Sequence, residues 1–170
     1  VQVRIIIGDY RRTMLGVVGG DHLGGYAPSA TVLSAMVREL AGICERRLPG
    51  PETTQQQLRD RSWWTGPEVF VVVDDYDMVA TSGQNPLLPL LDYLPQGRDI
   101  GLHLIVARRS GGAGRALYEP VLARLRELSS PGLIMSGSRD EGALVGAVRP
   151  SPMPPGRGTF VRRAGTSLVQ

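Results

Sequence analysis

The stretch VFVVVDD, residues 69–75, decides how this chain folds. Five consecutive apolar residues, four of them valine, run into two carboxylates. Valine is stiff at χ1 and favours extended backbone, and an apolar run without alternation marks a strand covered on both faces. The stretch therefore reads as a central parallel strand whose carboxyl end presents Asp74 and Asp75. Its surroundings agree. VRIII at 3–7 is another β-branched run, closed by Gly8-Asp9, and GLHLIVA at 101–107 and GLIMS at 132–136 read as further buried strands.

Helical periodicity separates these strands. Leu33, Met36, Val37, Leu40, Ile43, Cys44 and Leu48 recur at spacings of three and four, which predicts a helix starting at Ser29 or Thr31 and stopped by Pro49-Gly50-Pro51. The glycine-rich residues 16–28 read as a loop, and the polar residues 52–62 as a short helix. Leucines 87, 88, 90, 91 and 94 predict a helix over 86–96, and an amphipathic helix is expected over 115–128, with Pro120 offering a later start. The tail is rich in proline and glycine, and GTFVRR and TSLVQ around Ala164-Gly165 read as a terminal β-hairpin. Strands alternating with helices imply an α/β fold, with a mostly parallel sheet, flanking helices and a C-terminal β-hairpin. We expect one domain over residues 1–170.

Composition narrows the chemistry. The chain has 170 residues and a net charge of +3, and all 19 basic residues are arginine. Without lysine there is no Schiff-base lysine, no lysine general base and no phosphate-loop lysine. The arginines are scattered, so no basic tail for nucleic acid is expected. Cys44 has no partner for a disulfide and reads as a small buried hydrophobe. No apolar run approaches the ~18 residues of a membrane span, and no signal peptide is visible. The chain opens at Val1 almost directly on a strand, from which we expect a piece of something larger.

Open α/β sheets bind ligands beyond the carboxyl ends of their strands, which here carry Asp9, Asp74-Asp75 and Arg108-Arg109. Two readings of the acid pair stay open. Asp74 holds the shell of a magnesium ion while Asp75 polarises an attacking water, or the strand simply ends in turn-forming aspartates. Arg108 and Arg109 either reach a phosphate or close their strand by pairing with Asp99 or Asp75. Trp63 and Trp64 are core residues or, with Leu23 and Tyr26, line a groove for a partner helix. His22 lacks the companions of a metal site, and His103 reads as a core histidine.

Three segments together carry a resemblance: VFVVVDDYDMVAT, NPLLPLLDYLPQGRDIGLHLIVARRSGGAGRALYEP and PPGRGTFVRRAGTSLVQ. The chain resembles the FtsK/SpoIIIE-type ATPase domains over nearly its whole length. More narrowly it is similar to the last ATPase domain of the EccC family, the motors of actinobacterial type VII secretion. The resemblance implies a RecA-like P-loop fold lacking its first βα unit, whose lysine-bearing phosphate loop would lie upstream of Val1. It implies ATP and magnesium in the intact domain, and none for this stretch alone. Asp74 would be the Walker B aspartate. Asp75 stands where active members carry glutamate, and a carboxylate set back by about 1 Å can cost a hundredfold in rate, so weak or absent hydrolysis is implied. Arg108 and Arg109 occupy the sensor position without its usual glutamine. The implied partners are a secreted WXG-type helical-hairpin heterodimer, neighbouring ATPase domains and other secretion subunits, at the cytoplasmic face of the inner membrane, with no nucleic acid. A DNA-translocating ATPase and a purely structural degenerate domain are the alternatives.

Overall fold

The computed structural model describes residues 2–81 and 84–170. Two compact units share the chain, the first ending at Ala107 and the second beginning at Arg108.

The first unit is built on a four-stranded parallel sheet in the order β2-β1-β3-β4. The strands are β1 (Val3–Gly8), β2 (Leu23–Ala27), β3 (Glu68–Val73) and β4 (Leu102–Val106). The expected strand at 69–75 is β3, at the centre of the register. Gly8 aligns with Val73 on one side and with Ala27 on the other, and Val73 aligns with Val106. All four carboxyl ends therefore reach the same edge. Burial alternates along β3: Val69, Val71 and Val73 are buried, while Glu68, Phe70 and Val72 are half-buried. One face is thus covered less completely than the unbroken valine run implies.

Strand β2 corrects the reading of 16–28 as a loop. Leu-Gly-Gly-Tyr-Ala has neither alternation nor β-branching, so nothing local announces a strand. The open backbone edge of β1 recruits it, and Gly25 lets it lie against the next helix, where a Cβ would stand 2.9 Å from the Met36 sulfur.

Helix α1 (Ala30–Arg46) follows the predicted period and buries Leu33, Val37, Leu40 and Cys44. The Ser29 hydroxyl accepts from the Val32 amide as its cap. Burial pushes the Cys44 thiol up to about 11, as suits a packed hydrophobe rather than a nucleophile. The polar stretch yields α2 (Gln55–Asp60), opened by a capping box between Thr54 and Gln57. After β3 comes a single turn, α3 (Tyr76–Val79). The helix expected over 86–96 does not form. Pro89 and Pro95 lack the N–H that an α-helix needs there, and the segment breaks into 3-10 turns at Leu88–Leu90 and Leu94–Gln96, followed by α4 (Gly97–Ile100). Leu87, Leu90 and Ile100 are still buried.

The second unit contains α5 (Ala113–Ala116) and α6 (Pro120–Glu127). The single helix read over 115–128 is thus two, divided where Pro120 takes the first position and Glu119 accepts from the Val121 and Leu122 amides. Strands β5 (Gly132–Ile134), β6 (Gly158–Arg162) and β7 (Gly165–Val169) form a separate antiparallel sheet in that order. The terminal hairpin is β6-β7, turning at Arg163-Ala164. Residues 132–136 do supply a strand, but β5 joins the hairpin instead of the parallel sheet. Among the described residues no helix is long and apolar enough to cross a membrane.

Candidate functional site

The site grows from the end of β3. With Val69, Val71 and Val73 buried, the strand cannot slip, and the chain must turn as it leaves the sheet. The Asp74 amide continues the ladder, donating to the Gly8 carbonyl at 2.9 Å. Asp75 then adopts φ 44° and ψ 51°, a left-handed conformation that a side chain other than glycine takes at a cost. Two anchors hold it there. The Tyr76 amide donates to the Ala107 carbonyl at 2.8 Å with its ring fully buried, and the Met78 amide donates to the Asp75 carbonyl at 2.7 Å. The result is two adjacent half-buried carboxylates at the carboxyl edge of the sheet.

A third carboxylate lies beneath them. Asp9, one residue past β1, is only 1 % exposed. It accepts from the Met14 amide at 2.7 Å and the Tyr26 hydroxyl at 2.8 Å. Burial works to raise its pKa, but these hydrogen bonds outweigh burial and hold the carboxyl below the usual carboxylate range. The hydroxyl of Thr13 lies 3.4 Å from Asp9 and donates to Asp74 at 3.0 Å, and the Arg11 guanidinium donates to Asp75 at 3.3 Å. The loop after β1 therefore touches each acid of the pair with one side chain.

The other residues singled out in the sequence fall in several places. Tyr26 belongs to this cluster through Asp9. Leu23 sits on the edge strand and is 38 % exposed. Trp63 and Trp64 are both half-buried, and each indole N–H is engaged, Trp63 with the Arg47 carbonyl at 2.7 Å and Trp64 with the Asp99 carbonyl at 2.8 Å. The buried Arg47 guanidinium stacks on Trp64 at 4.1 Å and donates to the Pro67 and Ile100 carbonyls. His103 is half-buried, stacks on Phe70 at 4.2 Å and pairs with Glu68 at 2.8 Å. Arg108 and Arg109 open the second unit, where Arg108 donates to the Arg109 carbonyl at 3.1 Å. Within the first unit, Asp75 pairs with Arg11. Arg11 and Thr13 escaped the sequence reading. Their one signal is position, two and four residues past a strand end that already carried an acid.

Among the described residues no group of three or more histidines, cysteines and carboxylates could cage a metal ion. The pair Asp74-Asp75 suits instead a hard divalent cation of the magnesium type, which takes one or two carboxylates and fills its shell with water and phosphate oxygens. The donor chemistry thus fits a magnesium–nucleotide complex, provided that a lysine-bearing phosphate loop comes from outside these 170 residues.

Comparison with known proteins places the chain at the level of family. No family model matches the chain. It is 59% identical over 99% of its length to the ESX secretion system protein EccC of Thermomonospora curvata, and 55% identical over 99% to the ESX-4 secretion system protein EccC4 of Mycobacterium tuberculosis. It superposes with a TM-score of 0.93 on a solved structure of T. curvata EccC, ATPases 2 and 3, in complex with a signal sequence peptide, again at 59% identity and 99% coverage. The chain belongs to the EccC family. It matches a C-terminal ATPase domain of EccC, and it spans 13% and 14% of the two curated relatives and 30% of the solved chain. EssC ATPases 2 and 3 of Geobacillus thermodenitrificans share the fold alone, at a TM-score of 0.70 and 18% identity. The four-stranded sheet with flanking helices is accordingly that of RecA-like FtsK/SpoIIIE ATPase domains.

Proposed function

We propose that this chain forms the Walker B side of an ATP-binding domain in a type VII secretion motor, acting in the recognition and export of protein substrates. The observation that carries the reading is the pair Asp74-Asp75, held at the aligned carboxyl edge of the sheet with Asp75 in a strained left-handed conformation. Magnesium bound with ATP would supply charge neutralisation of the phosphates and a fixed water shell. Asp74 accepts that shell, its carboxylate aimed by the Thr13 hydroxyl. Asp75 orients water from a short side chain, which favours nucleotide binding over fast turnover. Arg108 and Arg109 offer cations to a γ-phosphate or to an acid of a neighbouring ATPase domain.

The partner side of the proposal rests on the solved relative that carries a signal sequence peptide. By that likeness the chain works beside neighbouring ATPase domains in recognising the signal sequence of a secreted protein. The family resemblance, rather than that structure, suggests WXG-type helical-hairpin heterodimers as the substrates and the cytoplasmic face of the inner membrane as the place. Leu23, Tyr26, Trp63 and Trp64 are the proposed apolar contacts, each leaving part of its surface open.

Calorimetry on the complete polypeptide carrying this chain tests the nucleotide claim, with the other ATPase sites of the polypeptide disabled. Magnesium–ATP should bind, and Asp74→Asn should weaken binding about tenfold or more, the size of one lost charged contact. Unchanged affinity in Asp74→Asn would rule out the assignment.

A further inference from the structure

We propose that residues 9–14 form a strap across the acid pair, in which Thr13 aims Asp74 and Arg11 supplies the countercharge to Asp75 that a bound divalent cation takes over. The proposal rests on the placement of magnesium–nucleotide at Asp74 and Asp75.

The strap has a fixed end. Asp9 is buried and ionised, and it grips the far side of its own loop through the Met14 amide while the Tyr26 hydroxyl ties it to the edge strand. The Arg12 amide donates to the Asp9 carbonyl and the Val17 amide to the Met14 carbonyl, so the backbone on both sides of Thr13 is held in turns. Thr13 has one hydroxyl proton and two carboxylates within reach. At 3.0 Å against 3.4 Å it serves Asp74, fixing which oxygen of that acid faces the loop.

Arg11 is the exchangeable part. Its side chain is 55% exposed and reaches Asp75 through a single nitrogen at 3.3 Å. A bidentate buried pair would be a permanent strut, whereas one exposed contact is weak and reversible. The Asp75 backbone cannot respond, because Tyr76 and Met78 pin it on its carboxyl side. Only the two side chains can rearrange. A cation arriving at the pair therefore competes with one guanidinium, and Arg11 sets how much metal is needed without blocking entry. Arg11 and Thr13 are positioning residues that act through the two acids.

Electron paramagnetic resonance reads this directly, as manganese(II) titrated into the complete polypeptide with a non-hydrolysable ATP analogue and its other nucleotide sites disabled. Arg11→Ala should lower the manganese concentration for half-saturation about two- to fivefold, the range of an exposed ion pair, and Arg11→Lys should return it toward wild type. Arg12→Ala, which removes the same charge from the neighbouring exposed residue, should leave it unchanged. Equal shifts in Arg11→Ala and Arg12→Ala would reduce the effect to net charge and overturn the strap, as would a raised metal requirement in Arg11→Ala. Failure of both wild type and Arg11→Ala to bind manganese would instead remove the nucleotide assignment, and the strap's role with it.

Discussion

At the scale of single residues the structure turns on Asp9. A carboxylate this buried is tolerated because its lone pairs are filled by an amide and a hydroxyl, which cost less to leave in place than to remove. Tyr26→Phe takes away one donor to a charged acceptor and should destabilise the fold by about 1.5–3 kcal/mol in urea titration. The same hydrogen bonds give a pH signature. The folded pKa of Asp9 lies below the unfolded value, so its contribution to stability is complete above about pH 4 and drains away as pH falls through the folded value. Stability of Tyr26→Phe should therefore fall less steeply than wild type over that acid range. Matching slopes would show that the Tyr26 hydroxyl does not hold Asp9 ionised. Asp74 and Asp75 were legible in the sequence because an apolar run ending in acids has few physical readings. Arg11 and Thr13 were not, because their role depends on a loop folding back over a strand end 61 and 64 residues away in the chain.

Elements were legible where their pattern was local. Helix α1 follows from spacing and a serine cap, and β3 from its valines. Strand β2 could not be read, since Gly24-Gly25 carries no propensity and the strand exists only because β1 pairs with it. The 86–96 segment misled in the opposite sense: its leucines do reach the core, but Pro89 and Pro95 forbid the helix that the spacing suggests. The join between α4 and β4 makes a sharper case. Gly101 sits at φ +72° with the end of the Trp64 ring over it, and a Cβ there would lie 2.6 Å from that ring. The Arg47 guanidinium stacks on the same indole at 4.1 Å, and one of its nitrogens would lie 3.3 Å from that Cβ. Gly101→Ala combines a left-handed alanine with a forced shift of Trp64 and should cost about 2–4 kcal/mol by urea titration, with a change in tryptophan fluorescence. A loss below about 0.5 kcal/mol would mean that this packing is not held in solution.

On the scale of the whole molecule the sequence was right about class and uninformative about distribution. The alternation of strands and helices led to a parallel sheet, and the aligned register brings Asp9 and Asp74-Asp75 to one edge, where open α/β sheets bind ligands. The net charge of +3, however, conceals a division. Residues 108–170 hold ten arginines against four carboxylates, while the first 107 residues hold nine against twelve. An average over the chain could not show that an anion would meet the two units differently. The missing lysine keeps its meaning at this scale, since on the proposed reading the acids of a nucleotide site are here and these 170 residues hold no lysine for a phosphate loop. The central claim is that Asp74 and Asp75 are where a nucleotide's metal sits. Anomalous diffraction from a manganese–ATP-analogue complex of the complete polypeptide measures that directly. The account predicts a manganese peak beside the Asp74 carboxylate, lost in Asp74→Asn. A bound nucleotide whose manganese lies away from the end of β3 would contradict it.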